Sequence, residues 1–264
     1  MWDWAQVVAA DGGESFRWGF TAASPGGSSA GPFQGGNVSD HVGDRPAAVA
    51  ANRAAVAHDL GLDPSHLLFM TQVHGVSVDV VDGPRDAAPP PADAMVTTRP
   101  GLALGVLVAD CVPILLAAPH QGVVGVAHAG RQGLARGVVE AVVRAMQELG
   151  ARSIQAVVGP SVCGRCYEVP EELRREVAEV CPLSATMSWT GTPALDIAAG
   201  VVEQLVRAGV STSWRPGCTR ESDHLFSYRR SGVTGRFAGV VVLGDGPAPV
   251  ADRAASGRSP AAAR

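Results

Sequence analysis

The sequence contains no uninterrupted apolar stretch of membrane-spanning length. Its longest, Leu102 to Val108, is closed by Asp110, whereas a spanning helix takes about 20 apolar residues. The opening residues, Met1-Trp2-Asp3-Trp4, lack the basic start and apolar run of a secretory signal. No internal repeat and no linker-like segment divides the chain. Charge is sparse, with 17% Asp, Glu, Lys and Arg and a formal net charge of −4. Such a balance excludes the broad basic surface that nucleic acid or an anionic membrane calls for, though local arginines can still bind a small phosphate. Five cysteines cannot all pair. Without an export signal, reduced thiols in a cytoplasmic protein are expected, which directs attention to metal binding or nucleophilic chemistry.

What is present suits a folded chain. The sequence has 264 residues, 46% of them hydrophobic, enough for a sizeable core. Period-two or continuous apolar patterns predict strands at Phe16 to Thr21, Leu67 to Gln72, Val76 to Val80, Leu102 to Val108, Val112 to Ala117, Val123 to Ala127, Ile154 to Val158 and Phe237 to Leu243. A helix is expected from Pro46 to Leu60, capped by Asp44 and stopped by Gly61. Leu134, Val138, Val142, Met146 and Leu149 predict one long helix between Gly130 and Gly150. Two more are expected over Pro170 to Val180 and Leu195 to Ala208. Ser24 to Pro32 and Gly83 to Ala92 are too rich in glycine and proline for regular structure. Strand, helix and strand at these lengths suggest a parallel crossover. The expectation is one α/β domain over residues 1–246, with a disordered tail of alanine, proline and arginine over 247–264.

Three side chains stand where apolar strands end: His74, Cys111 and His128. Ligands in α/β sheets gather beyond strand ends near helix starts, so these three can converge. Two imidazoles and a thiolate make a tetrahedral zinc set with one place open, the mark of a catalytic ion. The competing reading is a hydrogen-bonded structural histidine and a merely buried cysteine. Asp110 is a candidate general base or a partner that orients a ligand, and Asp93 and Glu168 have weaker claims to the same roles. Tyr228-Arg229-Arg230 and Arg236 can hold phosphate or ribose, or form a solvated surface. Cys163-Gly164-Arg165-Cys166 has the spacing of a redox pair or half a zinc knuckle. A second Cys-X-X-Cys is missing, however, and Cys181 and Cys218 are isolated, so structural thiols are expected. His41, His58, His66, His120 and His224 have no partner pattern and are expected at the surface. The five tryptophans are expected to pack in the core, with one able to flank a base.

Several separated strings share an order and spacing over residues 18–244. They are Gln72-Val73-His74-Gly75, Ala92-Asp93-Ala94, Ala109-Asp110-Cys111-Val112-Pro113, His128-Ala129-Gly130, Val158-Gly159-Pro160, Cys166-Tyr167-Glu168-Val169, Cys218-Thr219 and Phe226-Ser227-Tyr228-Arg229-Arg230, with Gly43-Asp44 and Asn52-Arg53 before them. Together they resemble the laccase-domain (polyphenol oxidase-like) family, now read as purine nucleoside phosphorylases. The resemblance implies a mixed α/β sheet sandwich flanked by helices, and a catalytic zinc on His74, Cys111 and His128. Copper is an alternative ion for the same donors. It further implies phosphorolysis of adenosine, inosine, guanosine and methylthioadenosine, with adenosine deamination as a companion activity. The expected partners are therefore purine nucleosides and phosphate. A multicopper phenol oxidase fits poorly, because the seven histidines are scattered and form no His-X-His pair.

Two departures from the family pattern bear on phosphate. Where the family reads His-Ala-Gly-Trp-Arg-Gly, this chain has Arg131 and Gln132 at the Trp-Arg positions, and its glycine-rich loop has Ala22-Ala23-Ser24-Pro25 where an arginine is usual. A lost guanidinium weakens bidentate phosphate contact; Arg131 at a helix start offsets this. Two other functional classes stay open. One is a cysteine-nucleophile hydrolase or deamidase built on Cys111 and His128, as in the deamidating toxins whose fold the family is said to share. The other is a degenerate member that binds nucleosides without turnover.

Overall fold

Side chains that alternate along the long central strands dictate a layered arrangement, because each strand buries both of its faces. The computed structural model describes residues 1–8, 15–23, 26–85 and 88–244. Ser24, Pro25 and the 247–264 tail lie outside them. In chain order the first half forms β1 (Trp2–Val8), β2 (Phe16–Thr21), α1 (Pro46–Asp59), β3 (Leu67–Phe69), β4 (Val78–Val80), β5 (Ala94–Thr97), β6 (Ala103–Val108), β7 (Val112–Ala118) and β8 (Val123–Ala129). The second half forms α2 (Arg131–Arg136), α3 (Val138–Glu148), β9 (Gln155–Val158), α4 (Glu171–Val180), β10 (Ala185–Met187), β11 (Pro193–Leu195), α5 (Ile197–Arg207), β12 (Ser211–Trp214), α6 (Tyr228–Ser231) and β13 (Phe237–Leu243).

Two mixed sheets result, ordered β1-β2-β13-β6-β3 and β12-β9-β7-β8-β5-β4, with β10 and β11 as a separate hairpin. Leu104, Val106, Phe237 and Val241 of the first meet Leu115, Ala117, Val124 and Val126 of the second in one buried cluster. The intervening residues face outward and are covered in turn. Ile114 and Leu116 pack on Val138, Val142 and Met146 of α3 and Val201 and Leu205 of α5. Ala103, Leu107, Ala238 and Val240 pack on Val56 and Ala57 of α1. Period-two alternation thus supplies both the sandwich core and the seats for its flanking helices. The fold is the expected mixed α/β single domain. The crossover is present too: β7 pairs antiparallel with both β8 and β9, so the latter two run parallel with β7 between them and α2 and α3 connecting them. Among the described residues no helix is long and apolar enough to cross a membrane.

Strands β1, β5, β10, β11 and β12 are additional to those expected, and three expected features take a different form. The long helix is two helices, because Gly137 takes φ 90°, a left-handed conformation that ends α2. Asp44 does not cap α1; its carboxylate accepts hydrogen bonds from Ser29 and Asn37 instead. The strand expected to reach Gln72 stops at Phe69. There the Gln72 side-chain amide donates to the Leu107 carbonyl and accepts from the Leu107 N–H, both at 2.8 Å. A side chain replaces the next rung of the β3–β6 ladder, and the backbone is released to turn at His74.

Candidate metal and substrate site

The three expected ligands arrive from different parts of the two sheets. His128 lies near the end of β8, opposite Pro113 of β7. Cys111 occupies the tight Asp110-Cys111 connection from β6 to β7, and His74 follows β3. Their donor atoms all lie within 4.8 Å of one another. Cys111 Sγ is 3.9 Å from His74 Nε2, and the two imidazoles stand edge to face with centroids 4.8 Å apart. A tetrahedral zinc with bonds of about 2.3 Å to sulfur and about 2.0 Å to nitrogen separates those two donors by about 3.5 Å. The Cys111–His74 pair is thus within a few tenths of an ångström of that spacing, and three donors leave one place of a tetrahedron for water or substrate.

Asp93 organises this convergence. Its fully buried carboxylate accepts the backbone N–H groups of Val73 (3.2 Å), His74 (2.9 Å) and Gly75 (2.6 Å). It also lies 2.8 Å from His128 Nδ1. One carboxylate thus fixes the loop carrying one imidazole and the orientation of the other, leaving His128 Nε2 facing Cys111. His74 (φ 58°) and Asp110 (φ 99°) are the only non-glycine residues with positive φ among the described residues. Strain of this kind persists where surrounding bonds over-determine it. Asp93 supplies those bonds at His74. At Asp110 the side chain accepts Thr219 Oγ1 (2.6 Å), Ser227 Oγ (2.7 Å) and the Arg229 N–H (2.5 Å). With its oxygens so occupied, Asp110 is a positioning residue rather than a free base.

The electrostatics favour an ionised cysteine in the metal-free protein. Burial works to raise the Cys111 thiol, but the His128 charge and hydrogen bonds from His128 and His74 outweigh it, bringing it to about 6. Burial likewise opposes charge on His128, yet the Cys111 thiolate and Asp93 push it up to about 9. A thiolate ready to bind a cation lies beside an imidazole that must lose a proton when metal arrives.

Above the triad opens a cavity of about 760 Å³, ample for a nucleoside-sized ligand. Arg131, Arg229 and Arg236 line it, as do Tyr167, Tyr228 and His41. The Arg229 guanidinium stacks over Tyr167 at 4.7 Å. Arg230, expected beside Arg229 on phosphate, is elsewhere. Its guanidinium donates to the carbonyls of Thr219, Arg220, Ser222 and Leu225 and so ties down a loop. His41 is exposed, as expected, and also borders the cavity, whose aromatic side chains are tyrosines rather than a tryptophan. Glu168 bonds to Thr190, away from the triad. Tyr167 stood in a recognised string but had no assigned role, and nothing local to His41 marks it; its place depends on the loop before α1.

Gly130, the residue before α2, has no room for a side chain. A Cβ there would lie 2.8 Å from His74 Cδ2 and 3.2 Å from Cys111 Sγ. Gly130→Ala is expected to displace both donors and weaken metal binding at least about tenfold, the scale of disturbances around a metal site, while the fold melts within a few degrees of the wild type. Zinc competition titration checks it, and wild-type affinity would overturn the packing argument.

A helix-flanked sandwich whose joined strand ends carry a His-Cys-His donor set beneath an arginine-lined cavity defines a class of protein. The chain belongs to the family described as multi-copper polyphenol oxidoreductase laccase, which it matches over residues 17–244. Among curated relatives, it is 56% identical to a purine nucleoside phosphorylase of Streptomyces coelicolor over 222 residues, 83% of this chain and 92% of the relative. It is 35% identical to an adenosine deaminase from an unknown prokaryotic organism, over 79% of this chain and 87% of that one. Among solved structures, it superposes on YlmD of Geobacillus stearothermophilus with TM-score 0.80 at 29% identity, covering 90% of this chain and 99% of that one.

Proposed function

We propose that this protein is a cytoplasmic, zinc-dependent purine nucleoside phosphorylase that accepts adenosine, inosine, guanosine and methylthioadenosine, with adenosine deamination as a side activity. The observation that carries the reading is the meeting of the His74-Cys111-His128 donor set and the Arg131 and Arg229 guanidinium groups on one cavity. The names of the Streptomyces and deaminase relatives support the substrate class. Zinc on the two-imidazole, one-thiolate set would supply Lewis acidity at one open place; the same donors also accept copper, whose intrinsic affinity is higher. The domain extends over residues 1–246.

In phosphorolysis an oxygen of inorganic phosphate bonds to the anomeric carbon as the glycosidic bond breaks. The base departs with the bonding pair and takes up a proton. Arg131 and Arg229, with Arg236 on the same cavity, bind the phosphate; Asp110 fixes the Arg229 backbone and Tyr167 steadies its guanidinium. Holding both reactants in line supplies most of the rate. Arg131 takes the phosphate-binding part that the usual family arginine plays at the next position. His41, Tyr167 and Tyr228 are cavity side chains outside the donor set that can exchange the proton. Purified protein is expected to release ribose 1-phosphate from inosine only when phosphate is present. Zinc-loaded protein inert on a full nucleoside panel would end this reading, and calorimetric nucleoside binding without turnover would leave the non-catalytic binder.

One observation favours a second reading. The Cys111-His128-Asp93 array, with His128 Nδ1 2.8 Å from Asp93 Oδ1, is also the arrangement of a thiolate nucleophile, its imidazole and an orienting carboxylate. The two readings differ in how the thiol behaves. A zinc ligand is shielded, so iodoacetamide is expected to alkylate Cys111 slowly in metal-containing protein and much faster after chelation. Peptide mass mapping reads the site, and equally rapid alkylation in both states would support the nucleophile.

A further inference from the structure

Away from the cavity floor, the structure brings together four side chains that the sequence shows only in halves. Cys163-Gly164-Arg165-Cys166 folds as a tight turn, with the Cys166 N–H donating to the Cys163 carbonyl at 2.9 Å. Cys218-Thr219-Arg220-Glu221 repeats it, the Glu221 N–H donating to the Cys218 carbonyl at 3.1 Å. A turn closed in this way carries its first and fourth side chains close together, which is why zinc ligands so often come in Cys-X-X-Cys pairs. The two turns are stitched side by side. Ser161 N–H donates to the Gly217 carbonyl and Thr219 N–H to the Ser161 carbonyl, both at 3.1 Å. One donor atom from each of Cys163, Cys166, Cys218 and Glu221 lies within 4.8 Å of all the others, and Cys166 Sγ lies 3.4 Å from Glu221 Oε1.

We propose that Cys163, Cys166, Cys218 and Glu221 form a second zinc site, structural rather than catalytic. The missing half of the knuckle is Cys-X-X-Glu, in which a carboxylate takes the place of the fourth thiolate. Four protein donors close a tetrahedron and leave no place for substrate, in contrast to the three donors under the cavity. Three sulfurs select zinc over magnesium or calcium. In a tetrahedral zinc complex neighbouring donors stand about 3.6–3.8 Å apart; Cys166 Sγ and Glu221 Oε1, at 3.4 Å, are already near that spacing, and no pair exceeds it by more than about 1.2 Å. On binding, the thiols release their protons to solvent. Three thiolates and one carboxylate on the divalent ion leave a net double negative charge beside the Arg220 guanidinium, whose Nη1 is 3.4 Å from the Cys166 carbonyl. The position gives the ion a purpose. One turn leads directly into Tyr167 on the cavity wall, and the other contains Thr219, which bonds to Asp110. A clamp between the turns braces the wall that holds Arg229.

Elemental analysis of the full chain, after zinc loading and removal of loose metal, tests the proposal. Two zinc ions per wild-type chain are expected, one in Cys111→Ser and one in Cys163→Ser. Should Cys163→Ser fail to fold, the exposed Glu221 allows Glu221→Ala, which is expected to hold the second zinc at least tenfold more weakly. Cobalt added to Cys111→Ser should give intense thiolate-to-cobalt absorption, which only a cysteine-rich site can produce. A Cys111→Ser chain that takes up neither zinc nor cobalt overturns the proposal, as does a disulfide among Cys163, Cys166 and Cys218 in freshly purified protein. The outcomes are independent of the catalytic reading. One zinc in the wild type, kept by Cys111→Ser and lost by Cys163→Ser, would sustain the clamp and sink the zinc phosphorylase.

Discussion

Cys111→Ala is expected to lose the zinc of the cavity and to lower nucleoside turnover about a thousandfold while the protein remains folded. The side chain is half-buried, and shortening it opens no large hole, so the cost to folding is about 1 kcal/mol or less. Its chemistry, by contrast, cannot be replaced. Without the thiolate only two imidazoles remain, and the charge that draws a divalent cation to this end of the sandwich is gone. Lewis-acid assistance of several kcal/mol corresponds to about three powers of ten in rate at about 1.4 kcal/mol per tenfold. Metal analysis, circular dichroism and a nucleoside panel with and without phosphate separate the outcomes. Retained zinc with retained turnover would remove Cys111 from the site. Lost turnover with zinc retained would move it from ligand to nucleophile.

The three donors stand out because each follows an apolar run that is plain in the sequence, although β3 ends at Phe69, short of His74, and His128 lies inside β8. Their meeting was not legible from spacing, since His74 and Cys111 are 37 residues apart and only the sandwich brings them together. Asp93 was underrated for a related reason. Most of its hydrogen bonds are to backbone N–H groups 18 to 20 residues away, and backbone donors leave no mark on residue identity. Arg230 misled in the opposite sense. A run of two arginines beside a tyrosine looks like an anion site, but one guanidinium turns inward to satisfy loop carbonyls. Gly137 was hidden by apolar periodicity that continues across it, since period alone does not report a left-handed φ. The second cysteine cluster was read as half a motif because its other half ends in glutamate. In each case the sequence expressed what a side chain is, while the missing information was which backbone it would meet.

Asp93→Asn is the sharpest test of how the site is held together. Asparagine has nearly the same shape but only one acceptor oxygen, and its amide hydrogens would face the N–H groups of Val73, His74, Gly75 or His128. At least two buried donors would then lack an acceptor, at about 1–3 kcal/mol each. A loss of about 3 kcal/mol or more is expected in denaturant unfolding, with zinc affinity down by about 10–100-fold as His74 and His128 lose their fixed orientation. The pH dependence adds a separate signature. Burial tends to raise the Asp93 carboxyl, but the hydrogen bonds from His128 and the backbone prevail and hold it below the ordinary value. Its contribution is therefore complete above the unfolded carboxyl's pKa of about 3.9, and it fades as pH falls through the lower folded value. The wild type should accordingly lose its advantage over Asp93→Asn as the solution is acidified toward pH 3, and the two unfolding curves should approach one another. A constant gap between them across that range, or unchanged zinc affinity at neutral pH, would mean that the carboxylate merely fills space, and that the strained His74 loop is held by something else.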